Sequence, residues 1–268
     1  MNSTAPVGLY RAAALLVLGF VVLPLAVVVW ASFFSNKILS FPPEGYTLDW
    51  YARAWARPEF SDGLLLSLQL ALLSTLASLV IGLPASYALA RYKFAGREIV
   101  TNILLSPMVV PGIVGGAAIY IFYIDVEMAT DIQLSGSLPG LFAAHVLVAL
   151  PWTIRLVTAS LISLDRSIPE AAASLGASPT TIFLRVVLPM VKPALIAAGL
   201  FAFVASFIDL EKSLFLVGPG RTTLQIAIVS YLEWNLDSTI AAVATVQIAI
   251  VATLLLITNR YARLNRAF

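Results

Sequence analysis

The chain has 268 residues, 60% of them hydrophobic and only 11% charged, with 16 Lys and Arg against 14 Asp and Glu, and its mean hydropathy is +0.95. A soluble globular chain is roughly 45–50% apolar and about 25% charged, so this composition excludes an ordinary soluble enzyme, a disordered tail and a nucleic-acid binder. There is no Cys and a single His, which removes disulfides, thiolate metal sites and dithiol redox motifs.

Crossing the hydrocarbon of a bilayer takes about 20 residues of helix. Charge-free runs able to do so are, in chain order, 12–36, 63–90, 99–124, 132–154 with the lone His145 inside it, the shorter 193–208, and 238–259. Lipid offers backbone amides no partner, so a spanning segment is either a helix or part of a closed barrel. The long runs lack the period-two alternation of barrel strands. The predicted fold is therefore all-α, a polytopic membrane protein with six transmembrane helices. The first run is too long for a cleaved leader and no small-residue cleavage site follows it; Pro24 predicts a kink there. Residues 1–62 divide off as the first helix and an outer segment, and 63–268 as a five-helix core.

Lys and Arg set the orientation. With the N-terminus in the cytoplasm, the inner face collects Arg11, Arg91, Lys93, Arg97, Arg155, Arg166, Arg185, Lys192, Arg260, Arg263 and Arg266, against only Glu98, Asp165 and Glu170. The outer face then holds Lys37, Arg53, Arg57, Lys212 and Arg221 among most of the acids. The predicted topology has both termini cytoplasmic.

Between the fourth and fifth runs lies a cytoplasmic stretch, 163–192, with its own grammar. Ser167-Ile168-Pro169-Glu170 reads as a capping box, Ser167 capping the helix and Glu170 reaching back to its amide, with Pro169 tolerated in the first turn. Ala171, Ala172, Ala173, Ser174 and Leu175 continue a short helix, and Gly176 sits where it stops. Ser178-Pro179 starts a second helix, expected to close at Leu188-Pro189. Two short helices joined at a glycine make a knob. Its alanines and Leu175 suit a partner's groove, while Arg166, Arg185 and Lys192 equally suit lipid headgroups; composition does not separate the two.

Glu170-Ala171-Ala172, Gly176 six residues after the Glu, and Val186-Val187-Leu188-Pro189 together resemble the EAA signature of ABC importer permeases. Every fixed position matches, with Val186 standing where Ile is usual. The likeness runs from about residue 63 onward, and 106–115, 206–219 and 239–246 are similar to the spermidine/putrescine-type permeases of the MetI-like class; the first span and the segment that follows it match less specifically. The resemblance implies a multi-pass protein of the bacterial inner membrane. It implies that Ser167, Glu170, Ala171, Ala172, Gly176, Ser178, Pro179, Leu188 and Pro189 form coupling helices docked on an ATPase subunit. It also implies partners: two ABC ATPase subunits that bind ATP and Mg, a second and different permease chain, and an extracytoplasmic binding protein that delivers the cargo. The cargo it suggests is a polyamine, although related subunits carry amino-acid-like compounds or aminoethylphosphonate. The chain has no Gly-x-x-x-x-Gly-Lys phosphate loop, so it is expected to be no enzyme itself and to hold no cofactor or metal.

Candidate pathway residues are Asp209, Glu211, Tyr231, Glu233 and Trp234. Asp209 and Glu211 follow the fifth run, where a charge faces a cavity or a partner; pairing with Lys212 competes with cargo contact. Tyr231 and Trp234 offer faces to an ammonium group or simply an interfacial aromatic belt. Asp125, Glu127 and Asp131 read as an acidic outer loop, Gly112 and Gly116 as a close-packing or flexing face behind Pro107 and Pro111, and Gly218-Pro219-Gly220 as a turn. His145 is expected to bond across helices. An ion-coupled carrier, the alternative class, calls for ionisable groups at mid-membrane; the five long runs hold only His145. A membrane enzyme calls for clustered catalytic groups, which this sequence lacks.

Overall fold

The computed structural model describes residues 7–38 and 40–264; Arg266, counted above with the inner basic residues, lies outside them. The described residues form α1 (Val7–Ala31), α2 (Asp49–Trp55), α3 (Pro58–Arg91), α4 (Arg97–Leu105), α5 (Gly112–Thr130), α6 (Leu138–Ser163), α7 (Ser167–Ser174), α8 (Pro179–Ile182), α9 (Leu188–Phe207), α10 (Ser213–Leu216), α11 (Leu224–Leu232) and α12 (Thr239–Leu264). Among them are no strands, only an isolated bridge between Phe34 and Tyr46. Six stretches are long and apolar enough to cross a bilayer: Tyr10–Ala31, Pro58–Arg91, Gly112–Thr130, Leu138–Ser163, Pro179–Phe207 and Thr239–Arg260.

The number of spans agrees with the sequence reading, but two boundaries do not. The charge-free run 99–124 is not one helix. It comprises α4, a 3-10 turn at Ser106–Met108 and the body of α5, because Pro107 and Pro111 each remove an amide donor and disfavour helical geometry in the residue before them. As a result α5 extends to Thr130, and Asp125 and Glu127 lie on its last turns rather than in a loop. The fifth span is likewise longer than its charge-free part. Leu188-Pro189 does not close α8; the chain runs on through a π-helical segment, Phe183–Val187, into α9. The Leu188 amide bonds back five residues to the Phe183 carbonyl, and this wider turn leads Pro189 into the helix at its first turn, where a missing amide costs least.

The chain divides into two compact units, the first running to Ser61 and adding Ile228–Ala252, the second holding Asp62–Ala227 and continuing from Thr253. In the first, Trp50 donates from Nε1 to the Phe34 carbonyl at 2.6 Å, and Trp30 meets Phe34 edge-on at 5.1 Å. Pro24 lies inside α1, whose apolar side chains are exposed in the monomer from Leu15 through Leu25. A helix apolar all round requires lipid or another chain around it.

The second unit is built on the pairing of α6 with α9. The buried residues of α6, among them Leu141, His145, Ile154, Val157 and Leu161, recur at helical spacing on one face. The matching face of α9 presents Val191, Ala198, Ala202 and Ser206, mostly small residues that allow close approach in lipid. The middle and C-terminal parts of α3 add a polar seam: Ser74, Ser78 and Ser86 are fully buried. Ser74 donates to Ser206 at 2.9 Å, and the hydroxyls of Ser78 and Thr153 bond at 3.1 Å. Such bonds average about 0.6 kcal/mol each in a membrane, up to about 1.7.

Candidate functional site

Two short helices meet at Gly176, as read from the sequence, but the second runs on into α9 instead of closing at Leu188-Pro189, and the cap of the first differs. Arg166, not Ser167, is the residue before α7, and no side-chain bond comes from it. The cap comes from Asp165, whose Oδ1 accepts the Ser167 amide at 2.9 Å. A carboxylate at a helix N-terminus also meets the positive end of the helix dipole, so Asp165 outcompetes the neutral hydroxyl assigned to that role. The hydrogen bonds from Ser167 hold the Asp165 carboxyl below its usual range. Glu170 is exposed and sits in the first turn of α7.

The end of α7 is a Schellman motif. The Ala177 amide bonds to the Ala172 carbonyl at 3.1 Å and the Gly176 amide to the Ala173 carbonyl at 2.9 Å, with Gly176 at φ +83°, a left-handed conformation that suits glycine. Ser178 then caps α8, its Oγ accepting the Thr181 amide at 3.2 Å, and Pro179 occupies the first helical position. The knob's outer surface is open: Leu175 is 89% exposed and Ile168 43%. Its root is fixed. Val187 is fully buried in a cluster with Val157, Leu161, Val191 and Ala198, against which Ile182 and Phe183 pack, and the Phe183 ring meets Tyr87 edge-on at 5.1 Å. The end of α8 and the turn after it are therefore packed against α6, α9 and α3 rather than hinged freely from them.

The candidate pathway residues fall in different units. Asp209 and Glu211 belong to the second, at the end of α9. The Asp209 side chain is 3% exposed; Lys212 Nζ lies 3.4 Å from Asp209 Oδ1 and 3.3 Å from Glu211 Oε2, and the Glu211 side chain is 49% exposed. Asp209 Oδ2 also accepts the Lys212 amide at 3.0 Å and the Ser213 amide at 3.3 Å, capping α10. Glu211 lies over Gly112, and a Cβ at Gly116 would meet the Glu211 carbonyl, so the Gly112–Gly116 face receives the segment after α9. A cleft of about 590 Å³ is lined by Asp209, Glu211, Lys212, Ile208 and the pair Trp152–Phe201, whose rings stack at 5.1 Å and 14°. Lys212 also borders a smaller cavity of about 250 Å³ reaching Pro107, Gly115 and Leu147.

Tyr231, Glu233 and Trp234 belong to the first unit. Tyr231 is buried; Phe60 packs on its ring at 5.3 Å and the Arg57 guanidinium sits 4.9 Å from its centre. Its phenol, pushed up by burial, donates to Asp237 Oδ2 at 2.9 Å. Its ring face thus already holds a cation. Glu233 and Trp234 are exposed, Trp234 to 85%.

Sequence reasoning gave no site role to Trp152, Phe201 or Asp165. His145 behaves as expected of a lone intramembrane histidine: Nδ1 bonds Ser206 Oγ at 2.8 Å and Nε2 bonds Ser213 Oγ at 3.2 Å, tying α6, α9 and α10. Of the two acids on α5, Glu127 has a local partner set too. Glu127 accepts the Leu134 amide at 2.6 Å, the Ser135 amide and the Ser135 hydroxyl, closing the turn before α6.

The family model described as "Binding-protein-dependent transport system inner membrane component" matches residues 78–266. The chain belongs to this family. It is 30% identical over 234 residues, 86% of this chain and 83% of the relative, to the putrescine transport system permease protein PotI of Escherichia coli (strain K12). It is 28% identical over 251 residues, 93% and 94% of the two chains, to the spermidine/putrescine transport system permease protein PotC of Haemophilus influenzae. Among solved structures, a bacterial alginate ABC transporter bound to its periplasmic protein aligns with a TM-score of 0.71 at 16% identity, covering 95% of this chain and 93% of that one. The MetNI methionine ABC transporter aligns at 0.62 and 20%, covering 76% and 94%. The fold is that of ABC importer permeases, and the chain is a multi-pass inner-membrane permease subunit, a transport component rather than a catalyst.

Proposed function

We propose that this chain is one permease half of an ATP-driven importer for linear polyammonium cations of the putrescine and spermidine type. The observation that carries the reading is the 30% identity to a putrescine permease over 86% of the chain. The half-exposed Glu211 carboxylate beside a stacked aromatic pair supports it chemically. The N-terminus faces the cytoplasm, following the Lys and Arg distribution. The α7–α8 knob then lies under the membrane, where Ser167, Glu170, Gly176, Leu175 and Pro179 meet an ATPase subunit. Two such subunits bind ATP and Mg, a second, different permease chain completes the pathway, and an extracytoplasmic binding protein delivers cargo. Closure of the ATPase pair moves the knob, and the root formed by buried Val187 and half-buried Phe183 carries that motion to α9 and α6.

A second reading rests on a relative named as a putative 2-aminoethylphosphonate permease, PhnV of Salmonella paratyphi A, 28% identical over 94% of this chain. 2-Aminoethylphosphonate carries an ammonium and a phosphonate; the surplus carboxylate at the cleft attracts the first and repels the second, whereas a polyamine presents ammonium groups alone. Reconstitution of the complete importer with its binding protein decides between them. ATP-dependent accumulation of putrescine or spermidine is expected, and accumulation of 2-aminoethylphosphonate alone would replace the polyamine reading.

A further inference from the structure

Two carboxylates share one ammonium at the end of α9. They are not equivalent. Asp209 is nearly sealed, with both oxygens engaged by two backbone amides and by Lys212 Nζ. It belongs to the architecture of α10. Glu211 has one side-chain ion pair, Lys212 Nζ at 3.3 Å, and half its side chain is open. The group of three therefore carries one surplus negative charge, and of its two carboxylates Glu211, seated over Gly112 at the start of α5, is the one that solvent and cargo can reach. The cleft beside it, about 590 Å³, falls within the range of roughly 300–1,000 Å³ typical of ligand sites. The Trp152–Phe201 stack lines the same cleft, with Phe201 46% exposed, a surface suited to a hydrocarbon stem and to an ammonium over a ring.

We propose that Glu211 is the carboxylate that receives a cargo ammonium and that Lys212 is its displaceable internal counter-ion, occupying Glu211 until cargo arrives. The inference rests on the polyammonium reading and adds to it which acid meets the cargo and what competes with it. Exchange strands no charge. When a cargo ammonium takes Glu211, Lys212 keeps its contact with Asp209 at 3.4 Å, so no buried lysine is left unpaired, the outcome that makes breaking buried ion pairs costly. Cargo held this way binds weakly, because it competes with a tethered cation, and it leaves readily. A pathway site needs that property: entry without retention.

The test is direct binding of putrescine, by calorimetry, to the solubilised permease–ATPase complex without its binding protein. Asp209→Asn combined with Lys212→Gln removes the buried pair together, leaves no orphaned charge and frees Glu211. This double variant is expected to bind putrescine about ten-fold more tightly than the parent, and adding Glu211→Gln is expected to abolish the gain. No gain, or a gain that survives Glu211→Gln, would overturn the proposal. Glu211→Gln alone keeps the shape of a half-exposed side chain seated over Gly112 and leaves Lys212 paired with Asp209. In proteoliposomes at saturating cargo-loaded binding protein it is expected to cut putrescine uptake about ten-fold while ATP hydrolysis continues; uptake at the parental rate would overturn the proposal independently. If the parent importer takes up no polyamine, the functional reading itself fails. If it does and both experiments are negative, only this inference fails.

Discussion

Gly176 allows backbone geometry to be separated from surface fit. It closes α7 at φ +83°, and a Cβ built there meets nothing within 4 Å. A substitution thus carries no steric penalty in the isolated chain, only the cost of holding an L-residue in the left-handed region, about 1–2 kcal/mol. That corresponds to a shift of roughly 5- to 30-fold in the population of the native knob. Asn visits this region more readily than other side chains, so the expected order of coupling is Gly, then Asn, then Ala, then Val. The assay is the reconstituted importer with ATP hydrolysis and cargo uptake measured separately; hydrolysis per cargo molecule should rise along the series while membrane insertion stays intact. Gly176→Asp tolerates the backbone nearly as well as Asn but places a charge on the exposed face, and is expected to uncouple more than Asn. Ala coupling as well as or better than Asn would refute the reasoning, because a determinant of side-chain bulk, not backbone, would rank Ala first.

Three further outcomes follow from other parts of the fold. Asp165 is held below its ordinary pKa by the bonds from Ser167, so its support of α7 is present above the unfolded value of about 3.9 and is lost as the pH falls through the lower folded value. Hydrogen exchange of the α7 amides is expected to show no loss of Asp165's contribution between pH 7 and pH 5 and a loosening only in strong acid, which Asp165→Asn abolishes. Replacing His145 by Leu removes the bonds to Ser206 and Ser213, and unfolding in detergent is expected to report about 1–3 kcal/mol lost, from the range of single interhelical bonds. Gly116→Ala places a Cβ 2.6 Å from the Glu211 carbonyl and 2.8 Å from Phe215, and overpacking of this kind costs about 1–3 kcal/mol. Gly115→Ala, 3.7 Å from Val110, is its control. Thermal denaturation should separate the two, and equal Tm values would remove the close packing of 211–215 on α5.

Six spans were readable because a long charge-free run has few alternatives in lipid, whatever its neighbours. Their ends were less readable. Pro107 and Pro111 carried enough signal to break the third run, but charge counting does not register them. Leu188-Pro189 looked like a stop because the local rule for Pro competes with a π-turn that only the packing of Val187 and Phe183 against α6 and α3 stabilises. Gly176 and Ser178 were legible since turn and cap chemistry is local; Asp165 was missed because two acceptors, Asp165 and Ser167, stand two residues apart and the charged one prevailed. At the cleft, Lys212 between Asp209 and Glu211 was visible as adjacency in sequence. The ring stack of Trp152 on Phe201 joins residues 49 positions apart, and no pattern along either helix pairs them.

The chain contains no Cys, so Leu175→Cys introduces a single thiol at an open position of the knob, 89% exposed. In the assembled importer this thiol is expected to react poorly with a membrane-impermeant maleimide added from the cytoplasmic side. It is also expected to form a crosslink to the ATPase subunit that ATP binding alters, whereas the permease without its ATPase should label readily from the same side. Ready labelling from the opposite side of the membrane, or equal labelling with and without the ATPase, would contradict the assignment of α7 and α8 as the coupling element.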